Sequence, residues 1–324
     1  LKINESKKQD LLNQFTKILF FCKAMQTKIV LIEASSNLGL KRPSLDKEPG
    51  VKFFSKALLD TGFAEILSIS EIKRIEPPVY TGYIDPEASI RNAVSIQEYS
   101  KKLAKAISQS MHESTFQLVV GGDCSILIGC ALALKAKGNF GLVFLDGHTD
   151  YMLPEHSGTH GAAGMDLALV TGNGPALLSN IQSLSPYIEE ENVYSLANRE
   201  LTEWYVDIIK KSNIHYFDLV HCRKKKWSNL AQSYLDMVAE KQLDGFWIHF
   251  DVDALSDEIM PCVDSRQPDG MSYAELQELF SVLLSSPLCA GMDITIYDPD
   301  LDETKKYIQN FSTTMQKLLR EKAQ

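Results

Sequence analysis

The chain has 324 residues, 44% of them hydrophobic and 23% charged, enough to bury a substantial core and too apolar for a disordered polypeptide. A formal net charge of -9 argues against a nucleic-acid binder, whose footprint is usually basic. Six cysteines, at 22, 124, 130, 222, 262 and 289, include no Cys-x-x-Cys pair, which argues against a zinc knuckle or a disulfide scaffold and for a reducing, cytoplasmic setting.

Phe15 to Met25, "FTKILFFCKAM", is the nearest approach to a membrane segment. It falls short of the roughly 18–20 apolar residues a span needs and is interrupted by lysines. It also lacks the small-residue cleavage site of a secretory signal. Residues 1–27 therefore read as an N-terminal extension or short helix, with Met25 as an alternative start, and 28–324 as one α/β domain.

Residues 28–324 alternate between two patterns. Near-continuous apolar runs at 28–34, 116–122, 141–147, 192–198, 245–253 and 289–297 predict parallel strands covered on both faces. Amphipathic stretches at 91–110, 124–137, 226–241 and 272–285 predict the intervening helices, and 302–322 a last helix capped by Asp302. This alternation implies a single doubly wound domain around a mostly parallel sheet, in which ligands bind at the carboxyl ends of the strands. The basic cluster "CRKKKW" at 222–227 reads as a solvated loop or a helix start. No internal repeat is present.

Three of the predicted strands end in chemistry. "GLVFLDGHTD" runs into Asp146, His148 and Asp150, and "GFWIHFDVD" into Asp251 and Asp253. Residues two apart on an extended segment point to the same side, so each motif aims its side chains into one space. Carboxylates with a single imidazole suit manganese or another first-row divalent ion. Such a cluster at a buried strand end needs neutralising, because like charges raise one another's pKa. In "QLVVGGDCSILIG", Gly121 and Gly122 permit a sharp turn, and Asp123 or Ser125 could cap the helix that follows.

Gly-Gly-Asp-x-Ser, Asp-x-His-x-Asp and Asp-x-Asp, in this order, resemble the ureohydrolase family of arginases, agmatinases and formimidoylglutamases. Residues 37–63, "SGTHGAAGMDLAL" at 157–169 and "MDITIYDPDLD" at 292–302 extend the resemblance, which covers about 28–318. It implies an eight-stranded arginase-like sheet carrying two manganese ions. Carried over, Asp146 and Asp251 would bridge the ions, His148 and Asp253 would complete one, and Asp150 the other. A metal-bridging hydroxide would attack the planar carbon of a guanidine or amidine, a linear non-peptide C–N bond. Asp150 would then be a proton relay and His160 a proton shuttle. Glu200 and Asn198, in the loop after the 192–198 strand, are candidate substrate-binding residues. Relatives of this kind commonly form trimers or hexamers, so a homo-oligomer acting on a small-molecule substrate is expected, with no nucleic-acid or membrane partner.

Departures from the family pattern qualify this. Cys124 stands where the family has a histidine ligand, which biases the site toward zinc, cobalt or nickel. Gly147 replaces an alanine, a change expected to be sterically mild. Ile296 stands where a glutamate would pair with the guanidinium, and an isoleucine supplies no charge-assisted bond; Asp298 is the nearest carboxylate that could substitute. Cys124 and Ile296 motivate an alternative: a catalytically degenerate member that binds a small molecule or serves as an assembly subunit. A zinc amide hydrolase of the deacetylase type is a weaker reading, since its His-His pair is missing.

Overall fold

The computed structural model describes residues 27–322, so the Phe15–Met25 segment lies outside the described residues. Eight strands form one sheet: β1 (Lys28–Ala34), β2 (Glu71–Arg74), β3 (Thr115–Gly121), β4 (Phe140–Leu145), β5 (Val193–Asn198), β6 (His215–Asp218), β7 (Gly245–Asp251) and β8 (Cys289–Thr295). Every pairing between them is parallel, and the order is β2-β1-β3-β8-β7-β4-β5-β6. The main helices are α1 (Ala93–Ser110), α2 (Ile126–Lys135), α3 (Glu203–Lys210), α4 (Trp227–Glu240), α5 (Tyr273–Ser285) and α6 (Lys306–Lys322). None of the described helices is long and apolar enough to cross a membrane.

The six strands expected from apolar runs are all present within one or two residues. Sequence patterning misses β2 and β6, "EIKR" and "HYFD". Both are four-residue edge strands, half-exposed and polar, so they lack the hydrophobic run by which a buried strand is recognised.

Alternation along β7 explains the two cores. Phe246, Ile248 and Phe250 face one helical layer, while Trp247 packs into the other. Helix α2, "ILIGCALALK", is almost wholly buried because it covers the sheet centre. Helix α5 starts with a capping box, in which Ser272 and Glu275 satisfy each other's amides. Helix α6 begins at Lys306 rather than 302; Asp302 still accepts the Ile308 amide at 3.0 Å, across the turn that precedes the helix.

Strand order decides where the chemistry gathers. The chain lays down β1 to β3 in one half of the sheet and β4 to β6 in the other. Strands β7 and β8 then return to fill the gap between β3 and β4. The four central strands are consequently β3, β8, β7 and β4, roughly 4.8 Å from one to the next. Their carboxyl ends carry Cys124, Ile296, Asp251 and Asp146.

Candidate metal centre

The loop after β3 is pressed against the loop after β1. A Cβ on Gly122 would lie 1.5 Å from the Ser36 carbonyl oxygen, so glycine is required there for close backbone approach. Asp123 secures the turn: its carboxylate accepts the Ser125 amide at 2.9 Å and the Ser36 hydroxyl at 3.0 Å. Cys124 is thereby directed inward, and its Sγ donates to Asp251 Oδ2 at 2.8 Å and lies 3.0 Å from Thr295 Oγ1.

The ends of β4 and β7 interlock. Leu145 pairs in register with Phe250, which brings the following Asp146 level with Asp251. The His148 amide donates to Asp146 Oδ1 at 2.6 Å, and the Asp253 amide to Asp251 Oδ1 at 2.7 Å. His148 Nδ1 lies 2.8 Å from Asp253 Oδ2, and the Gly147 amide donates to Asp253 Oδ1 at 3.0 Å. One cavity of about 370 Å³ opens over these groups, with Cys124, His148, Asp150, Asp251, Asp253, Glu200 and Ile296 in its wall.

The electrostatics match a site built for cations. Burial, then repulsion from Asp253, raises the Asp146 carboxyl above its usual range. Burial raises Asp150 and Asp251 well above that range, with Asp146 and Asp253 respectively the next cause. Burial likewise pushes up the Cys124 thiol, reinforced by Asp251. Asp253 behaves oppositely: burial works against its charge, but His148 and Arg199 outweigh it and hold it low. His148 is raised well above its usual value because Asp253 overcomes its burial. Asp146 Oδ2 is fully buried with no hydrogen-bond partner. A carboxylate oxygen left so is costly, and a divalent ion would satisfy it. Asp146, His148 and Asp253 offer donor atoms within 4.8 Å of one another, as do Cys124, Asp166 and His249. The oxygen-rich donor set thus fits divalent ions.

Several expectations are corrected by position. His160 does not reach the cavity: its Nδ1 lies 2.9 Å from the Ser89 carbonyl, and the residue lines a separate depression. Asn198 ends β5 and serves its own turn, its Oδ1 accepting from Tyr216 and from the Glu200 amide. Asp298 accepts the Gly50 and Asp300 amides and is absent from the cavity wall, so it does not replace the glutamate missing at Ile296. Ile296 has φ 74°, which is strained for a β-branched side chain. Its amide, donating 2.8 Å to the Gly122 carbonyl, helps hold it there. Gly147 is not a mild change. A Cβ there would lie 2.5 Å from Arg199 Nη1 and 3.0 Å from Asp253 Oδ1. Arg199 cannot yield easily, because Nη2 donates to the Asp253 carbonyl at 2.7 Å and Nε to that of Pro268 at 3.2 Å. Gly147→Ala is expected to destabilise the fold by about 1–3 kcal/mol, the usual cost of overpacking, and calorimetry checks this; an unchanged melting temperature would mean that Arg199 relaxes freely.

The pattern of the sequence does not single out Asp166, His249, Asp264 or Arg199. His249 lies two residues before Asp251 on the same strand, so the period-2 rule was an available signal. Asp166 opens a short helical segment and the other two sit in loops, none of which carries such a signal.

The sequence profile described as "Arginase family" matches residues 32–322. An arginase of Staphylococcus aureus (strain COL) is 31% identical over 217 residues, 67% of this chain and 71% of that protein. An arginase of Bacillus subtilis (strain 168) is 27% identical over 287 residues, 87% of this chain and 94% of that one. Among solved structures, the native arginase of Bacillus caldovelox superposes with a TM-score of 0.80 at 23% identity, covering 90% of this chain and 98% of its own.

Proposed function

The chain belongs to the arginase family, and from that premise we propose that it is a metal-dependent hydrolase cleaving a linear, non-peptide C–N bond in a small guanidine or amidine. The convergence of Asp146, His148, Asp150, Asp251 and Asp253 at the ends of two adjacent central strands carries the reading. Asp146, Asp251, Asp253 and His148 would hold an ion, with manganese our choice for this hard donor set, and Cys124 and Asp150 would help hold a second. When bound, such ions make water acidic enough to deliver hydroxide near neutrality.

The chain's own groups do the rest. Asp150 would take up the proton that water gives up on becoming hydroxide and pass it to the departing amine, a relay that starts from the ionised carboxylate. Ile296 and Met152 give the cavity apolar walls, and Glu200 and Asp264 give it negative charge suited to a cationic substrate. Asp264 is exposed to solvent along the cavity wall. Desolvation by the surrounding wall, then Asp253, moves its carboxyl up to about 6, which leaves it largely ionised at neutral pH. A cytoplasmic homo-oligomer without nucleic-acid or membrane partners completes the reading. A degenerate binding subunit is not favoured, because the central ligand positions at Asp146, His148, Asp150, Asp251 and Asp253 all carry groups able to bind metal.

The test is a turnover screen of guanidino and amidino compounds by protein loaded with Mn²⁺, Co²⁺, Ni²⁺ or Zn²⁺, reading urea, ammonia or amine release with and without chelator. Chelator-sensitive turnover is expected, and His160→Asn, whose amide side chain tolerates the φ of 56° there, should stay within a few-fold of the parent. Two tightly bound ions with no turnover of any compound would overturn the hydrolase reading.

A further inference from the structure

Beneath the cavity floor lies a second group of donors that the family resemblance does not include. His249, on β7, and Asp166, at the start of a short helical segment, are both fully buried. His249 Nε2 and Asp166 Oδ2 face each other at 3.7 Å, and neither has a hydrogen-bond partner. The Cys124 Sγ completes a trio whose donor atoms all lie within 4.8 Å of one another.

The histidine is prepared as a ligand. Its Nδ1 lies 2.5 Å from Asp293 Oδ2, and Asp293 is itself fixed by Trp247 Nε1 at 2.6 Å. A carboxylate on one ring nitrogen sets the tautomer and leaves the lone pair on the other, which is the usual support of a metal-bound histidine. The ring orientation is locked by stacking on Phe144, with centroids 4.7 Å apart and planes 18° apart. Bonds of about 2.0–2.3 Å in a tetrahedral site place ligand atoms roughly 3.3–3.6 Å from one another, close to the observed 3.7 Å.

We propose that Cys124, Asp166 and His249 bind a borderline-soft divalent cation of the zinc or cobalt class, so that the Cys124 end of the site takes its second ligands from beneath the sheet ends. On binding, the Cys124 thiol gives up its proton to solvent and a sulfur–metal bond replaces it. The binuclear reading then becomes a site of two chemical characters, hard at Asp146, His148 and Asp253 and softer at Cys124. The proposal rests on that reading only for the number of ions.

The test loads the full chain with Co²⁺ alone and reads thiolate-to-cobalt absorption, with metal content by elemental analysis. The band is expected in the parent, lost in Cys124→Ser, lost equally in His249→Gln and Asp166→Asn, and kept in Asp253→Asn. A band that survives both His249→Gln and Asp166→Asn overturns the trio and returns Cys124 to the ligand set implied by the family. Two bound ions without any band also overturn it while leaving the binuclear reading intact, and no bound cobalt removes both. Should these buried variants not fold by circular dichroism, X-ray absorption of the doubly loaded parent decides. One imidazole per cobalt, from His148 and His249, supports the trio; one for every two ions means that His249 is an imidazolium held between Asp293 and Asp166, and the trio falls.

Discussion

Asp251→Ala is expected to lower turnover by at least about 10³-fold, the upper range for removing one preorganised electrostatic group, and to reduce the metal bound per chain. Asp251 stands between both ligand groups: it accepts from Cys124 Sγ at 2.8 Å and from the Asp253 amide at 2.7 Å. Its loss therefore frees the thiol and loosens the 3-10 turn that aims Asp253. Asp251→Asn separates charge from shape, because the amide oxygen can still accept from Asp253 while the negative charge is gone. Activity and metal should fall as far as in the alanine variant, but the metal-free asparagine protein should be at least as stable as the parent, since it no longer buries a titrating carboxyl. Single-turnover kinetics with elemental analysis measure the first effect and chemical denaturation the second. Full turnover in either variant would remove Asp251 from the metal centre and with it the proposed chemistry.

Metal removal should invert the dependence of stability on pH. Asp146, Asp150 and Asp251 have carboxyl pKa values raised above the unfolded range of about 4, with burial the leading cause in each. A raised carboxyl binds its proton more tightly in the folded state. Its contribution is fully present below the unfolded pKa and is lost as pH rises through the folded value. Chelated protein is thus expected to melt higher near pH 5 than near pH 7.5. Bound cations favour the ionised forms, and ligand linkage adds about 2.7 kcal/mol at a hundred times the dissociation constant, so the loaded protein should melt higher at the neutral pH. Asp150→Asn should flatten the chelated curve. A chelated protein that gains stability toward neutrality would show that these carboxyls are ionised without metal.

Much of this is legible in the sequence. Continuous apolar runs mark the six long strands because burial on both faces leaves no room for alternation. The Asp-x-His-x-Asp and Asp-x-Asp motifs stand out because each follows directly on such a run, although Asp146 to Asp150 run past the end of β4 and Asp253 sits in the 3-10 turn after β7. The differences from expectation at His160 and Gly147 share one cause. The family resemblance places His160 at the site, but the loop turns its ring toward the Ser89 carbonyl, and a loop's course is set by what it packs against. Gly147 looked mild because its cost comes from Arg199, 52 positions away in the chain.

Local order along the chain determined which residues could be ligands: acidic groups and an imidazole that follow directly on a buried apolar run are legible without any partner. Only the tertiary structure decided which of those groups meet. The return of β7 and β8 into the gap between β3 and β4 brings Cys124 onto Asp251, 127 positions away, and sets Asp166 against His249. Those encounters follow from strand order and helix packing, in which residues distant in sequence compete to fill one core. The chemistry of the floor beneath the cavity is accordingly a property of the packed sheet.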